Sequence, residues 1–569
     1  MNYENYKFGK YIDTNQETRW ATLEEIKSVS SYINLMDEDY KAAGIPIISN
    51  GKEAWVDSQD THTIIFGATG SKKTRLFCMP TINIFAKAGE SFVVTDPKGE
   101  LYAKTSGLVK SKGYKTIVLN FRDIGYGDMW NPLIMPYDLY HSGNKELAIS
   151  MLNDFVSTIA EPQFKSSPDI FWPQMASSYA LACLLLLMES AQRKEVNVGS
   201  LGRLCNSASE ASLSKLCDKM SEETIAGMNF KGVLSSHEGT RKSIFASLYG
   251  MVRIFNTQKN VTKMLSGNTI DLRNIGREKT AVYIIVPDEK TTLHFLVTTF
   301  IKQTYEILIS EAQKEKNFKL PVRVNFLLDE FCNIPTIPDM PNMISAARSR
   351  NMRYYLIVQS MHQLTRKYGD DAETIKGNCD NWVFLTSKEL SLLREISDLC
   401  GEIHMSGDYR RKLISVSELQ RFDKQKGEVL IMHARQYPII TEMADIELYK
   451  MFRGYETVPI KKSELSEFGY FSPHQLVRDV ENGLRECPFV RPDDDDCSTD
   501  ILGQDDDDEL VFLEEDELDD GEIEYEEYVF EDEALDFSSF QLEVEMDFGK
   551  VSDSDITVNL PEVYDSDSN

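Results

Sequence analysis

The sequence predicts an α/β fold: a parallel-type sheet flanked by helices, broken by an inserted all-α domain and followed by a disordered acidic C-terminal tail. Three observations predict it. Short apolar, β-rich runs alternate with helical stretches, the pattern of a parallel sheet. The first such run ends in a Gly-rich turn that opens a helix. From about Asp169 to Asn274 the β-rich runs give way to Ala, Leu, Ser and Met recurring at helical spacing.

Taken in order, residues 1–60 mix charge with short apolar pieces and read as a partly helical lead-in without transmembrane helices. Strand candidates then follow at THTIIF (Thr61–Phe66), SFVVT (Ser91–Thr95) and KTIVL (Lys115–Leu119). After the helical block they resume at AVYIIV (Ala281–Val286), VRVNFLL (Val322–Leu328), YYLIV (Tyr354–Val358), WVFL (Trp382–Leu385) and VLIM (Val429–Met432). The chain therefore divides into a lead-in (1–60), a nucleotide-binding domain in two parts (61–168 and 276–455), an all-α insertion (169–275), a helical linker (456–492) and the tail (493–569). The apolar stretch YALACLLLLM (Tyr179–Met188) is shorter than the roughly 20 residues a bilayer span requires, so it is expected to be a buried helix.

Charge supports this partition. The net charge is -30, but 32 of the 91 acidic residues and one of the 61 basic residues lie from Asp493 onward, leaving 59 acids and 60 bases before it. The body is thus close to neutral, and the overall acidity is no argument against a nucleic-acid partner. Nine dispersed cysteines with no CxxC pair indicate reduced thiols rather than a disulfide framework, and the eight histidines form no zinc pattern. In the tail, the acid runs are expected to remain extended. Interleaved Leu510, Phe512, Leu513, Tyr525, Tyr528, Phe530, Phe537 and Phe540 leave three uses open: a solvating extension, a docking strip for a basic protein partner, or a mimic of DNA.

The turn Gly67-Ala68-Thr69-Gly70-Ser71-Lys72-Lys73-Thr74, with Arg75 behind it, has the setting in which backbone N–H groups wrap a triphosphate. Lys73 would reach the β- and γ-phosphates and Thr74 would hold Mg²⁺. The second glycine of the pattern is replaced by Lys72. If that position is left-handed, a lysine there costs roughly 1–2 kcal/mol; if it is helical, Lys72 merely adds charge. The strand NFLL ends in Asp329 and Glu330, whose side chains point to opposite sides. Asp329 would complete the Mg²⁺ shell and Glu330 would deprotonate the attacking water. Gln359, at the end of YYLIV, would sense the γ-phosphate. Arg348 and Arg350 are either a basic surface turn or an arginine finger for a neighbouring subunit, worth about 10³–10⁵ in rate where it operates. The implied cofactors are ATP and Mg²⁺.

Further motifs extend this set: Arg19-Trp20-Ala21-Thr22, Asp96-Pro97-Lys98-Gly99-Glu100, Trp130-Asn131-Pro132-Leu133, Phe171-Trp172, LLDEF (Leu327–Phe331) and IVQSMHQL (Ile357–Leu364). Their order and spacing resemble the type IV secretion coupling ATPases, the TraG/TraD-like conjugative DNA-transfer family, over roughly Arg19 to Tyr449. The resemblance implies a RecA/FtsK-like P-loop NTPase assembling as a homo-hexamer. It also implies ATP hydrolysis that delivers a single-stranded DNA–relaxase complex, or protein, to secretion-channel subunits. Members normally begin with transmembrane helices, whereas here eighteen polar residues precede the first motif. The expectation is a cytoplasmic chain, or one peripheral at the inner face of the membrane and touching it only through a partner. A non-hydrolysing adaptor that recruits cargo through its tail is the alternative. Cations offered for DNA are Arg241, Lys242, Lys259, Lys263, Arg410, Arg411 and Lys412; none lies in an aromatic-basic stacking pattern along the sequence.

Overall fold

The computed structural model describes residues 18–404, 410–464 and 468–490. The tail from Asp493, the uses suggested for it and Cys497 lie outside the described residues. In the lead-in, the capping box of Thr22 and Glu25 starts the helix Leu23–Val29. Beyond it the chain is extended rather than helical. Strands β1 (Ser31–Asn34), β2 (Pro46–Ser49) and β3 (Glu53–Val56) form a small antiparallel sheet in the order β1-β3-β2. The strands are only four residues long, too short to show a clear alternating pattern in sequence.

The central sheet has nine strands: β4 (Thr63–Gly67), β5 (Ser91–Asp96), β6 (Lys115–Asn120), β7 (Thr280–Ile285), β8 (Val324–Leu328), β9 (Met352–Val358) and β10 (Asn381–Thr386). After the small ribbon β11 (Glu402–His404) and β12 (Arg410–Lys412), the last two are β13 (Glu428–His433) and β14 (Ile439–Glu442). Their order is β14-β13-β10-β4-β9-β8-β5-β7-β6. The seven strands from β10 to β6 are parallel, and β13 and β14 add an antiparallel edge. All eight apolar runs lie in this sheet. β4, β5, β7, β8 and β9 are buried along their whole length, as continuous apolar runs between two helical layers require. Along β4, Ile64 and Phe66 enter one core and Ile65 the other.

β6 and β7 are hydrogen-bonded neighbours, yet the chain between them includes the helices from Ile134–His141 to Lys259–Met264 and no strand. The helical excursion is thus one enlarged crossover. At its centre lies Phe171–Ser190, twenty residues long and therefore longer than the apolar stretch read from the sequence. It is long and apolar enough to cross a membrane, but 67% of its most apolar window is buried inside the protein. Trp130, edge-on to Phe300, and Asn131, donating to the Val196 carbonyl, join this block to the sheet-covering helix His294–Lys314.

Beneath β4, fully buried His62 accepts the Tyr354 N–H on Nδ1, and its Nε2 lies 2.7 Å from the Ile344 carbonyl. This fixes a neutral ring with the proton on Nε2. Burial, aided by the nearby Arg348 guanidinium, lowers its pKa from 6.5 to about 3. Because the folded pKa lies below the unfolded one, its contribution is present above pH 6.5 and is lost as the unfolded chain takes up a proton below that value. Between pH 7 and pH 5 this costs about 2 kcal/mol. In urea unfolding, His62→Gln should flatten the decline in stability over that interval, and an unchanged slope would assign the decline to other groups.

Candidate functional site

The carboxyl ends of β4, β9, β8 and β5 face one side of the sheet, where ligands of open α/β sheets bind. From β4 the chain turns through residues 67–74 into a helical segment whose first turn, Thr74–Cys78, is wound as a π-helix before Met79–Ala88 continues as α. Such wide turns are frequent at functional sites. Gly67 is required by space: a β-carbon there would lie 2.4 Å from Ser71 Oγ and 2.9 Å from Lys73 Cγ. Lys73 is buried and donates from Nζ to the Gly67 carbonyl at 2.6 Å. The Ser71 hydroxyl is buried without a hydrogen-bond partner. The loop thus carries a cation and a hydroxyl directed inward with little else to satisfy them.

Lys72 has φ 67°, so the left-handed alternative is the one realised, with its cost of roughly 1–2 kcal/mol. Its side chain does not enter the loop. Nζ lies 3.4 Å from the Gln425 carbonyl and 3.8 Å from Asp445 Oδ2. Arg75, grouped with the loop on sequence grounds, also turns away: it grips Asp445 through Nε and Nη2 and reaches Glu447.

At the end of β8, Asp329 is almost fully buried. Burial, reinforced by the adjacent Glu330 charge and partly offset by Lys73, pushes its carboxyl up to about 7. A carboxyl so placed is well matched to a cation. Glu330 adopts the left-handed conformation (φ 54°), which breaks the strand and turns its side chain toward β9. There Gln359 Nε2 donates to Glu330 Oε2 at 2.7 Å, while its Oε1 accepts from the Thr69 hydroxyl at 3.3 Å. A single glutamine therefore connects the loop to the acid.

Asp96, at the end of β5, was visible as part of a motif but carried no role. The strands are paired in register up to Thr95 and Leu328, so Asp96 follows alongside Asp329, and the Thr95 hydroxyl donates to the Asp329 carbonyl. Its Oδ2 accepts the Tyr102 N–H at the start of the helix Glu100–Ser111, while Oδ1 is buried and unpartnered. Only the Asp-Pro-x-Gly turn hinted at this arrangement. Asp445 left no trace in the sequence.

Arg348 and Arg350 precede β9 and so lie at the opposite end of the sheet from their own phosphate loop. Arg348 pairs with Asp380 at 2.8 Å and donates to the Asn378 carbonyl. Among the proposed DNA cations, Arg241 pairs with Glu210, Lys242 with Glu238, and Lys412 with Asp398 and Glu402. Lys259 and Lys263 instead line a cavity of about 480 Å³ with Arg203, Phe255, Phe468 and Tyr470. The Arg203 guanidinium stacks 3.3 Å from the Tyr470 ring, and none of the three cations makes an ion pair among the described residues. Phe255 lies four residues before Lys259, whereas Phe468 and Tyr470 come from a segment some two hundred residues further along the chain.

Residues 19–428 match the family model described as type IV secretory system conjugative DNA transfer. Among curated proteins, the chain is 29% identical over 198 residues to the type 4 coupling protein DotL of Legionella pneumophila, covering 32% of this chain and 24% of that protein. It is 23% identical over 364 residues to a conjugal transfer protein TraG of Escherichia coli, covering 60% and 55% respectively. The chain thus matches about half the length of such relatives or less. Among solved structures, the unbound conjugative coupling protein TrwB superposes with a TM-score of 0.56 at 13% identity, covering 81% of this chain and 99% of that one. TrwB in complex with ADP and Mg²⁺ gives 0.55 at 14% identity, covering 82% and 98%. At these identities the likeness establishes the fold.

The close approach at Gly67 makes a stability prediction independent of activity. Gly67→Ala should destabilise the protein by about 1–3 kcal/mol in denaturant unfolding, because Ser71 and Lys73 must both move. A midpoint equal to that of the unsubstituted protein would mean that the turn relaxes freely.

Proposed function

Because the chain belongs to the type IV secretory system conjugative DNA transfer family, we propose that it is a coupling ATPase, using ATP hydrolysis to deliver a single-stranded DNA–relaxase complex, or a protein, to a secretion channel. One observation carries the catalytic part: Thr69, Gln359 and Glu330 are linked in series at strand ends that also bear Lys73 and Asp329. Residues 61–168 and 276–455 are read as the two halves of the motor and 169–275 as its insertion.

The residues present fit a magnesium-bound triphosphate. The cradle closes too tightly for a β-carbon at Gly67, a buried hydroxyl at Ser71 and a buried carboxylate oxygen at Asp96 lack partners, and Asp329 is a desolvated acid. Amides of residues 67–74 would surround the phosphates, and Lys73 would exchange the Gly67 carbonyl for phosphate oxygens. Thr74 and Asp329 would hold Mg²⁺, which supplies charge neutralisation to the phosphates. Glu330 would take the proton of the attacking water, held in orientation by Gln359. Arg348 and Arg350, remote from their own loop, fit a contribution to a neighbouring copy in a homo-hexameric ring. Contact with the membrane's inner face would come through a partner.

The left-handed Lys72 favours a second reading, an adaptor that holds nucleotide without turnover. The two separate cleanly in a steady-state assay with single-stranded DNA. The motor predicts DNA-stimulated ATP hydrolysis that Lys73→Ala abolishes and that Glu330→Gln lowers by about 10²-fold or more with nucleotide affinity retained. Binding without any turnover in the unsubstituted chain would establish the adaptor instead.

For the nucleic acid, the Arg203, Lys259, Lys263 and Tyr470 cluster supplies cations and a stacking face together. Replacing Lys259 and Lys263 by Ala should weaken binding of a labelled oligonucleotide in fluorescence anisotropy. It should also reduce the slope of log K against log salt by roughly 1.4, about 0.7 per lost phosphate contact. An unaltered slope would remove this surface from the DNA path.

A further inference from the structure

The phosphate loop departs from its glycine pattern at one position, and the structure matches that departure with an acid far along the chain. Lys72 is left-handed (φ 67°). Its neighbours Lys73 and Arg75 are also cations, so three positive side chains leave one turn of backbone. Lys73 is committed inward, to the Gly67 carbonyl. The other two turn outward, and the residue they share is Asp445, which follows β14. Its Oδ1 accepts from Arg75 Nη2 at 2.6 Å, its Oδ2 accepts from Arg75 Nε at 3.0 Å, and its Oδ2 lies 3.8 Å from Lys72 Nζ. The Gln425 carbonyl, on the connection before β13, holds the same ammonium at 3.4 Å. Asp445 is itself fixed, since its Oδ1 also caps the Glu447 N–H.

We propose that Asp445 is a positioning residue for the phosphate loop: it retains the Lys72 side chain outside the cradle, so that a lysine occupies the left-handed glycine position without obstructing nucleotide. The proposal rests on the reading of this loop as a nucleotide site. Its physical basis is that a long ammonium next to a cradle built for phosphates is attracted into it unless an anion outside competes. A glycine has no side chain to restrain, so the importance of Asp445 depends on Lys72 being present. Two facing groups complete the environment: Glu447 shares Arg75, and Arg453 donates to the Glu447 carbonyl. Neither is paired with Lys72 among the described residues.

The test is a double-mutant cycle on the full chain, read by binding of fluorescent ADP and by the division between KM and kcat. Asp445→Asn should weaken ADP binding about fivefold, the upper range for a partly exposed ion pair, and raise KM with kcat within about twofold. Asp445→Glu should restore affinity. In a Lys72→Gly background the same Asp445→Asn change should alter affinity by less than about twofold. An equal loss in both backgrounds would overturn the proposal, since the acid would then act through Arg75. Unchanged affinity in Asp445→Asn alone would overturn it equally. If Asp445→Asn does not fold, Asp445→Ser keeps an oxygen for the Glu447 N–H and serves in the same cycle. Unsubstituted protein that binds no ADP would overturn both this inference and the nucleotide reading, whereas ADP binding without coupling overturns this inference only.

Discussion

The position of β9 between β4 and β8 is the constraint on which the site depends. Parallel pairing in register places Phe66 opposite Val358 and Leu328 opposite Leu356, so the three strands end at nearly the same height. Gln359, the next residue of β9, therefore lies between the loop leaving β4 and the acids leaving β8. Both of its amide atoms are used, one toward Thr69 and one toward Glu330. A one-residue slip of β9 would turn Gln359 to the other face and separate the two halves of the site. Burial of β9 on both faces holds the register, with Tyr354 stacked on Phe326 and Tyr355 against Phe85. The fully buried Arg353 adds a polar lock, bonded to Glu90, to Asn325 and to the carbonyls of Ala43 and Asp57.

The site is a place of stored cost within this frame. Lys72 and Glu330 are both left-handed non-glycine residues, Asp329 is a desolvated carboxyl, and Ser71 and Asp96 each retain an unpartnered buried oxygen. Conformational strain and unmet polar groups persist only where the surroundings over-determine them. Here those surroundings are the sheet and its two cores. The polar features share a direction, since a phosphate oxygen would serve the Ser71 hydroxyl and a cation would serve the Asp329 and Asp96 carboxylates.

The parts legible in the sequence were those fixed by local pattern. The strands of the central sheet are apolar runs because both faces are covered, and the turn, Asp329, Glu330 and Gln359 announce themselves by lying at the ends of such runs. The small lead-in sheet did not, because four-residue strands show too little periodicity. Nor did the outward turn of Arg75, since its partners Asp445 and Glu447 are local only in three dimensions. The aromatic face beside Lys259 and Lys263 was hidden for the same reason. Phe468 and Tyr470 come from a linker with no stacking pattern of its own, and Gly199 allows Tyr470 to approach within 2.7 Å of where a β-carbon would be. The conformation of Lys72 was posed by the sequence as a choice between two backbone states, and the rest of the fold made that choice.

The segment after β14 gives that outcome a wider meaning. From Asp445 at the loop it continues past Glu100–Ser111, where the Thr457 hydroxyl donates to the Ala103 carbonyl and the Val458 N–H to the Ser106 hydroxyl. The first turn of that helix is held by Asp96, the carboxylate beside Asp329, which accepts the Tyr102 N–H. Further on, the Lys461 carbonyl accepts the Gly127 N–H just ahead of Trp130, which anchors the helical block. Gly107 allows this passage, since a β-carbon there would lie 2.3 Å from the Glu456 carbonyl oxygen. One stretch of chain thus touches the cations of the loop, the helix whose first turn Asp96 holds and the entry to the inserted helices.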